Sequence, residues 1–131
     1  MNSLFPFLNT QSTNKIAKTF ITEARSVIGL AEEEIRLGEV VNHLISKDES
    51  ISLLTIAIWH YDQGLKQIKI AFGLLKQAKK FHLSEKYKSY VELREKECRE
   101  KANHALSQKT DLEFLLEKRK LGEILQDELP A

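Results

Sequence analysis

Four histidines, one cysteine and nineteen carboxylates are the side chains here that could carry acid–base, metal or nucleophilic chemistry. A helical di-metal centre uses Glu-x-x-His, because that spacing sets both ligands on one face. The residues three before His43, His60, His82 and His104 are Val40, Ala57, Lys79 and Lys101, and none is acidic. The zinc-protease pattern His-Glu-x-x-His does not occur either. Glu39 with His43, and Glu100 with His104, stand four apart. On a helix surface that spacing favours polar pairing over a complete metal site. A lone thiol such as Cys98 becomes a nucleophile only beside a base that lowers its pKa. Cys98 shares a helical face with Ala102 and reads as a small buried residue. There is no phosphate-binding glycine loop. Gly64 and Gly73 fall inside a helical pattern, where glycine serves close packing or a bend. The expectation is a protein without catalytic residues, metal or cofactor, and not an enzyme.

Charge narrows the partners. Lys+Arg (20) nearly balance Asp+Glu (19) over 131 residues, whereas a general nucleic-acid binder needs a basic excess. One corner is locally basic and aromatic: Lys76, Lys79, Lys80, Lys86 and Lys88 surround Phe81, His82, Tyr87 and Tyr90. Acidic residues follow closely, so a solvated helix junction is preferred there over an anion-binding surface. A single cysteine cannot form an internal disulfide, which fits a reducing, cytoplasmic setting. Met1 to Phe7 is apolar but lacks the basic leader and long apolar core of a secretory signal. The longest internal uncharged run, residues 50–61, falls short of the ~20 residues that cross a bilayer. Any contact with a membrane is expected to be indirect.

Gly (5) and Pro (2) are too few for a turn-rich fold, and Glu, Lys, Leu, Ile and Ala abound. Long helices follow. The central stretch is the clearest: Leu54, Ala57, Ile58, Tyr61, Leu65, Ile68, Phe72 and Leu75 recur at steps of three and four. Leu53, Ile56 and His60 widen this apolar arc, as in the middle helix of a bundle. Upstream, Ile16, Phe20, Ala24, Val27, Ile28, Ala31 and Ile35 share a face. Near Gly38 the row shifts to Leu37, Val40, Val41, Leu44 and Ile45, so one long helix with a bend and two helices meeting at Gly38 are both open, and one helix over residues 13–46 is preferred. Asp48 and Ser50 are rival caps for the second helix, and Ser46 with Glu49 has capping-box spacing. Ser84 can cap a third helix whose inner face is Tyr87, Val91, Cys98, Ala102, Ala105, Leu112 and Leu116. Its outer faces carry Glu92 with Lys96, Glu95 with Arg99 and Glu97 with Lys101, the pairs of a solvated helix. Thr110-Asp111-Leu112-Glu113 also has capping-box spacing, so a fourth helix or one long third helix are both open. The fold expected is all-α, an antiparallel bundle of three long helices or four, over residues 12–128. A flexible tail, residues 1–11, precedes it.

Within the central helix, Ala57-Ile58-Trp59-His60-Tyr61-Asp62-Gln63-Gly64-Leu65-Lys66-Gln67-Ile68 resembles the second helix of MIT (microtubule-interacting and trafficking) domains. Those read Ala, Tyr four later, a small residue three after that, then an aliphatic pair. The spastin and spartin variants carry glycine where Gly64 stands. An acidic residue shortly before the alanine is matched by Asp48 or Glu49, and Leu93-Arg94-Glu95-Lys96 resembles a run common in the third helix. The resemblance covers residues 30–110. The family's Arg-Ala-Glu late in helix three is absent, Ala102-Asn103-His104-Ala105 standing in a shifted place. The Ala-x-x-x-Tyr-x-x-small motif also occurs in tetratricopeptide helices.

The resemblance implies a non-enzymatic adaptor for membrane trafficking of the ESCRT type, holding a partner protein's helical or extended peptide between helices. The outward row Tyr90, Leu93, Glu97, Glu100 and His104 then becomes the partner-binding site, with apolar anchors and acidic neighbours to receive basic side chains. Packing of Tyr90 and Leu93 against the first helix or the chain's end is the rival account of those two residues. The rival function is a self-associating, structural or secretion-chaperone-like bundle that forms a homodimer. Trp59 stands off the main apolar row, where it can cover the bundle's edge or face a partner.

Overall fold

A computed structural model describes residues 9–45 and 50–128 of the chain, and every long element in it is a helix. Three are present: α1 (Asn9–Ile45), α2 (Ile51–Ala78) and α3 (Glu85–Glu128). No strand occurs among the described residues. No helix there is long and apolar enough to cross a membrane.

Local chemistry sets the boundaries. Ser50 caps α2: its backbone is extended, and its hydroxyl accepts a hydrogen bond from the Leu53 N–H at 3.1 Å. Asp48, Ser46 and Glu49 lie outside the described residues. Helix α2 ends in a tightened turn at Lys79 and Lys80, whose N–H groups donate to the Leu75 and Gln77 carbonyls. Ser84 opens α3, its carbonyl accepting from Lys88 at 2.8 Å. Thr110 begins no new element, since α3 runs through it unbroken. Helix α1 likewise passes Gly38 without a break and starts at Asn9, so residues 9–11, expected in the tail, form its first turn. The remainder of that tail, residues 1–8, lies outside the described residues.

What joins the helices is a repeat of seven. On α1, Ala17, Ala24, Ala31 and Gly38 stand seven apart and are buried; on α2, Ala57, Gly64, Ala71 and Ala78 do the same. A seven-residue period keeps one seam facing its partner along two supercoiling helices. Small residues on that seam let the backbones approach. A Cβ on Gly64 would lie 2.8 Å from Ile35 Cγ1 and 3.4 Å from the Ala31 carbonyl oxygen, and one on Gly38 would lie 3.1 Å from the Tyr61 ring. Larger residues fill the flanks, again at sevens: Ile21, Ile28 and Ile35 on α1, and Leu54, Tyr61, Ile68 and Leu75 on α2. Contacts follow in opposite order along the two helices, from Phe20 with Phe81, just past the end of α2, to Gly38 with Tyr61.

Helix α3 lies against α2 through Val91, Cys98, Ala105 and Leu112, a further row of sevens. Lys79 meets Glu95 at 3.0 Å and Asp62 meets Lys109 at 3.0 Å. Helices α1 and α3 scarcely touch, so α2 carries the bundle. Several expected placements change. Ile16 is 46% exposed, and Ala17 and Ile21 are buried instead. Ile56 is exposed, while Ile58, Leu65 and Phe72 are half-buried at the edges of the seam. Glu95, expected on the solvated side with Arg99, is 4% exposed and pairs with Lys79. Lys96 approaches Glu100 rather than Glu92, whereas Glu97 does meet Lys101.

Tyr61 is fully buried, and no hydrogen bond of good geometry reaches its hydroxyl. Burial pushes its pKa up, with Asn42 countering in part. The ring therefore does the packing. Tyr61→Phe should leave stability within about 1 kcal/mol of the native chain, and Tyr61→Ala should lower it by about 3–5 kcal/mol. Gly64→Val should cost about 1–3 kcal/mol by overpacking. Gly73, where an added Cβ meets nothing within 4 Å, should gain about 1 kcal/mol as Ala through helix propensity. Urea unfolding followed by circular dichroism reads all four.

Candidate functional site: the seam between α1 and α3

Because α1 and α3 both lie on α2 and scarcely touch, a furrow runs between them on the outside of the bundle. The row Tyr90, Leu93, Glu97, Glu100 and His104 recurs at steps of three and four, which places it on one side of α3. All five residues line this furrow. Tyr90 and Leu93 face Lys18, Ile21, Thr22 and Arg25 of α1. Tyr90 and Glu97 border Arg25, Ile28 and Glu32 further along. Glu100 and His104 complete it beside Ile35, Arg36 and Glu39.

The furrow has two different halves. Toward the end of α1 the helices are strapped together by polar side chains. Lys101 Nζ meets Glu32 at 3.4 Å, His104 Nε2 meets Glu39 at 2.9 Å, and the Asn42 amide donates to Gln108 at 3.2 Å. Such exposed pairs contribute little stability, about 0–1 kcal/mol each, so their effect is to fix register. Glu97 is held by Arg94 and Lys101. Glu100 lies 4.0 Å from Lys96, so both acidic residues of the row have basic partners within the chain. Glu39, expected to pair along its own helix, reaches across to His104.

Toward the start of α1 no hydrogen bond or ion pair crosses between the two helices among the described residues. The floor there is Ile21, Tyr87, Tyr90 and Leu93, and the walls carry Lys18 and Arg25 on α1 with Lys86 on α3. The hollow has a volume of about 500 Å³. Leu93 is 56% exposed inside it, so its packing against the first helix is incomplete. Lys18 Nζ lies 5.3 Å from the centre of the Tyr87 ring, and the Arg94 guanidinium lies 5.0 Å from that of Tyr90. Sequence spacing picks out the α3 wall but not Lys18, Ile21 and Arg25 opposite. Their facing depends on α1 and α3 sharing α2 as a support.

The other candidate groups are dispersed. Cys98 is buried, and desolvation, helped by Glu97 and Glu95, raises its pKa, the reverse of what an activated thiol requires. Among the described residues no three His, Cys, Asp or Glu side chains gather as a metal site would need. His60 Nδ1 meets Glu34 at 2.8 Å, joining α2 to α1, and Trp59, 54% exposed, lies edge-on to that ring. The basic corner is partly consumed by internal contacts: Lys79 on Glu95, Lys76 over Phe72, and Phe81 stacked on Phe20.

Comparison of the chain with protein-family models, with curated proteins and with solved structures gives no match. The functional reading therefore rests on the furrow itself.

Asp62 ties the far side of the bundle. Hydrogen bonding from Lys109, with Lys66 beside it, holds its carboxyl below the usual range. A carboxyl with a lowered folded pKa stabilises the native state above its unfolded value, near 4, and that gain is lost as pH falls through the folded value. Asp62→Asn should therefore melt below the native chain at neutral pH, and the gap should narrow as the pH falls below the usual carboxylate value of about 4. Thermal melts at neutral and acid pH test this.

Proposed function

We propose that the chain is a non-enzymatic adaptor: an antiparallel three-helix bundle that seats a partner protein's peptide in the α1–α3 furrow. The observation that carries this reading is Leu93. A large apolar side chain, 56% exposed, follows Tyr87 and Tyr90 along α3 in a recess walled by two helices. Clefts of this size with an apolar floor and a few polar rims are the usual form of a peptide site. The MIT-like run around Tyr61 and Gly64 supports the same reading, because it places the tightest packing on α2 and leaves the outer furrow uncommitted. On that resemblance the setting is cytoplasmic and the work is membrane trafficking of the ESCRT type.

One observation favours a second reading, self-association. The last turns of α3 expose Phe114 (68%), Leu121 (57%), Ile124 (53%) and Leu125 (51%), more apolar surface than one isolated residue.

Selection of displayed peptides on the native chain, counter-screened on Leu93→Asp, tests the first reading. The expected result is a set of peptides that bind the native chain and lose at least about tenfold on the variant. Light scattering tests the second, which expects a dimer that Leu121→Asp with Ile124→Asp dissolves. A monomer that binds no peptide through Leu93 contradicts both.

A further inference from the structure

The two halves of the furrow differ in what they leave unsatisfied, and that difference bears on the occupant. In the strapped half, Glu32 and Glu97 already hold cations of the chain, and Glu39 meets the His104 ring. In the open half the imbalance has the other sign. Lys18, Arg25 and Lys86 rim the recess, and among the described residues no carboxylate lines it. Arg25 and Lys86 form no ion pair among the described residues. Among the described residues Lys18 meets the face of Tyr87 and no carboxylate.

We infer that the open half of the furrow takes an acidic peptide segment, with one or two large apolar side chains set between carboxylates. This rests on the adaptor reading and reverses the polarity expected from the acidic residues of α3. The apolar side chains enter against Ile21, Tyr90 and Leu93, where about 500 Å³ suits two side chains rather than a whole helix. The carboxylates meet the cations on the rim. Lys18 and Arg25 lie seven residues apart on α1, an axial rise of about 10 Å. A peptide matches that with carboxylates seven apart if helical, or three apart if extended. The cations stand on both walls of a recess and not on a flat face, so the geometry suits a side chain between them better than a bilayer surface.

The test uses the full chain and three labelled peptides of about twelve residues. One sets Leu and Phe between glutamates, one has lysine for each glutamate, and one has serine for each apolar anchor. Fluorescence anisotropy is expected to show binding of the first alone, weakened by salt between about 0.05 and 0.5 M. Arg25→Glu with Lys86→Glu should weaken it at least about tenfold while circular dichroism stays native. Equal or tighter binding of the lysine peptide, or indifference to the charge reversal, overturns the inference. If the lysine peptide binds and Leu93→Asp removes it, the adaptor reading stands and the acidic ligand falls. If no peptide binds and Leu93→Asp changes nothing, both fall. Sedimentation with vesicles of phosphatidylcholine and about 30% phosphatidylserine gives the last outcome. Binding there that needs Arg25 and Lys86, with none to the acidic peptide, replaces the peptide with a membrane and overturns the inference.

Discussion

The close approach of α1 and α2 along their small residues is the constraint on which the rest depends. Interior packing is dense, and each methylene removed from a helix seam brings the backbones nearer. Ala17, Ala24, Ala31 and Gly38 opposite Ala57, Gly64, Ala71 and Ala78 do this over most of the length of α2. The isoleucines of α1 and the leucines and Tyr61 of α2 then close over both sides of the seam. Gly64 marks the tightest point: its missing side chain leaves room for Ile35, and a Cβ there would reach the carbonyl of Ala31.

That tight pair leaves α3 in a particular position. It packs on α2 alone, through one row from Val91 to Leu112, and it stands beside α1 rather than against it. A three-helix bundle packed evenly would have buried Tyr90 and Leu93 under α1. Here the exposed pairs Glu32–Lys101 and Glu39–His104 tie α1 to α3 at one end only. The other end stays open, with its apolar floor and its cations. The recess is thus a consequence of where the small residues lie, not a separate feature added to the fold.

Much of this was legible in the sequence because apolar period and capping chemistry are local. The faces of α2, the cap at Ser50 and the passage of α1 through Gly38 all follow from residues within a few turns. The seam was less legible. An apolar reading weights large side chains, so it takes Ile16 for the inner face of α1 and overlooks Ala17, one position on, which is the buried one. A search for small residues at sevens would have found Ala17, Ala24, Ala31 and Gly38 directly. The α3 wall of the furrow was visible as exposed apolar residues among charges. Its partners on α1 were not, since Glu39 and His104 are 65 residues apart and no local spacing joins them. Glu95 failed for the same reason: charge on a helix reads as solvated until a cation from another helix, here Lys79, is brought to it.

The buried seam and the charged rim of the recess are therefore made by different residues. Of the residues that line the open recess, Ile21 belongs to the buried core and Tyr87 and Tyr90 pack against it. Lys18, Arg25, Lys86 and Leu93 are exposed, and surface changes away from caps and buried pairs usually shift stability by less than about 0.5 kcal/mol. The charge of the recess can change without loss of the bundle, because nothing in the seam of small residues depends on it. The strapped half has no such freedom. Replacing Glu39 or Lys101 would release the register of α3 against α1 and change the shape of the open half beside it. On the adaptor reading proposed above, affinity for an occupant would depend on two separable properties: the rim charges, which choose its sign, and the straps, which hold the two walls at a fixed separation.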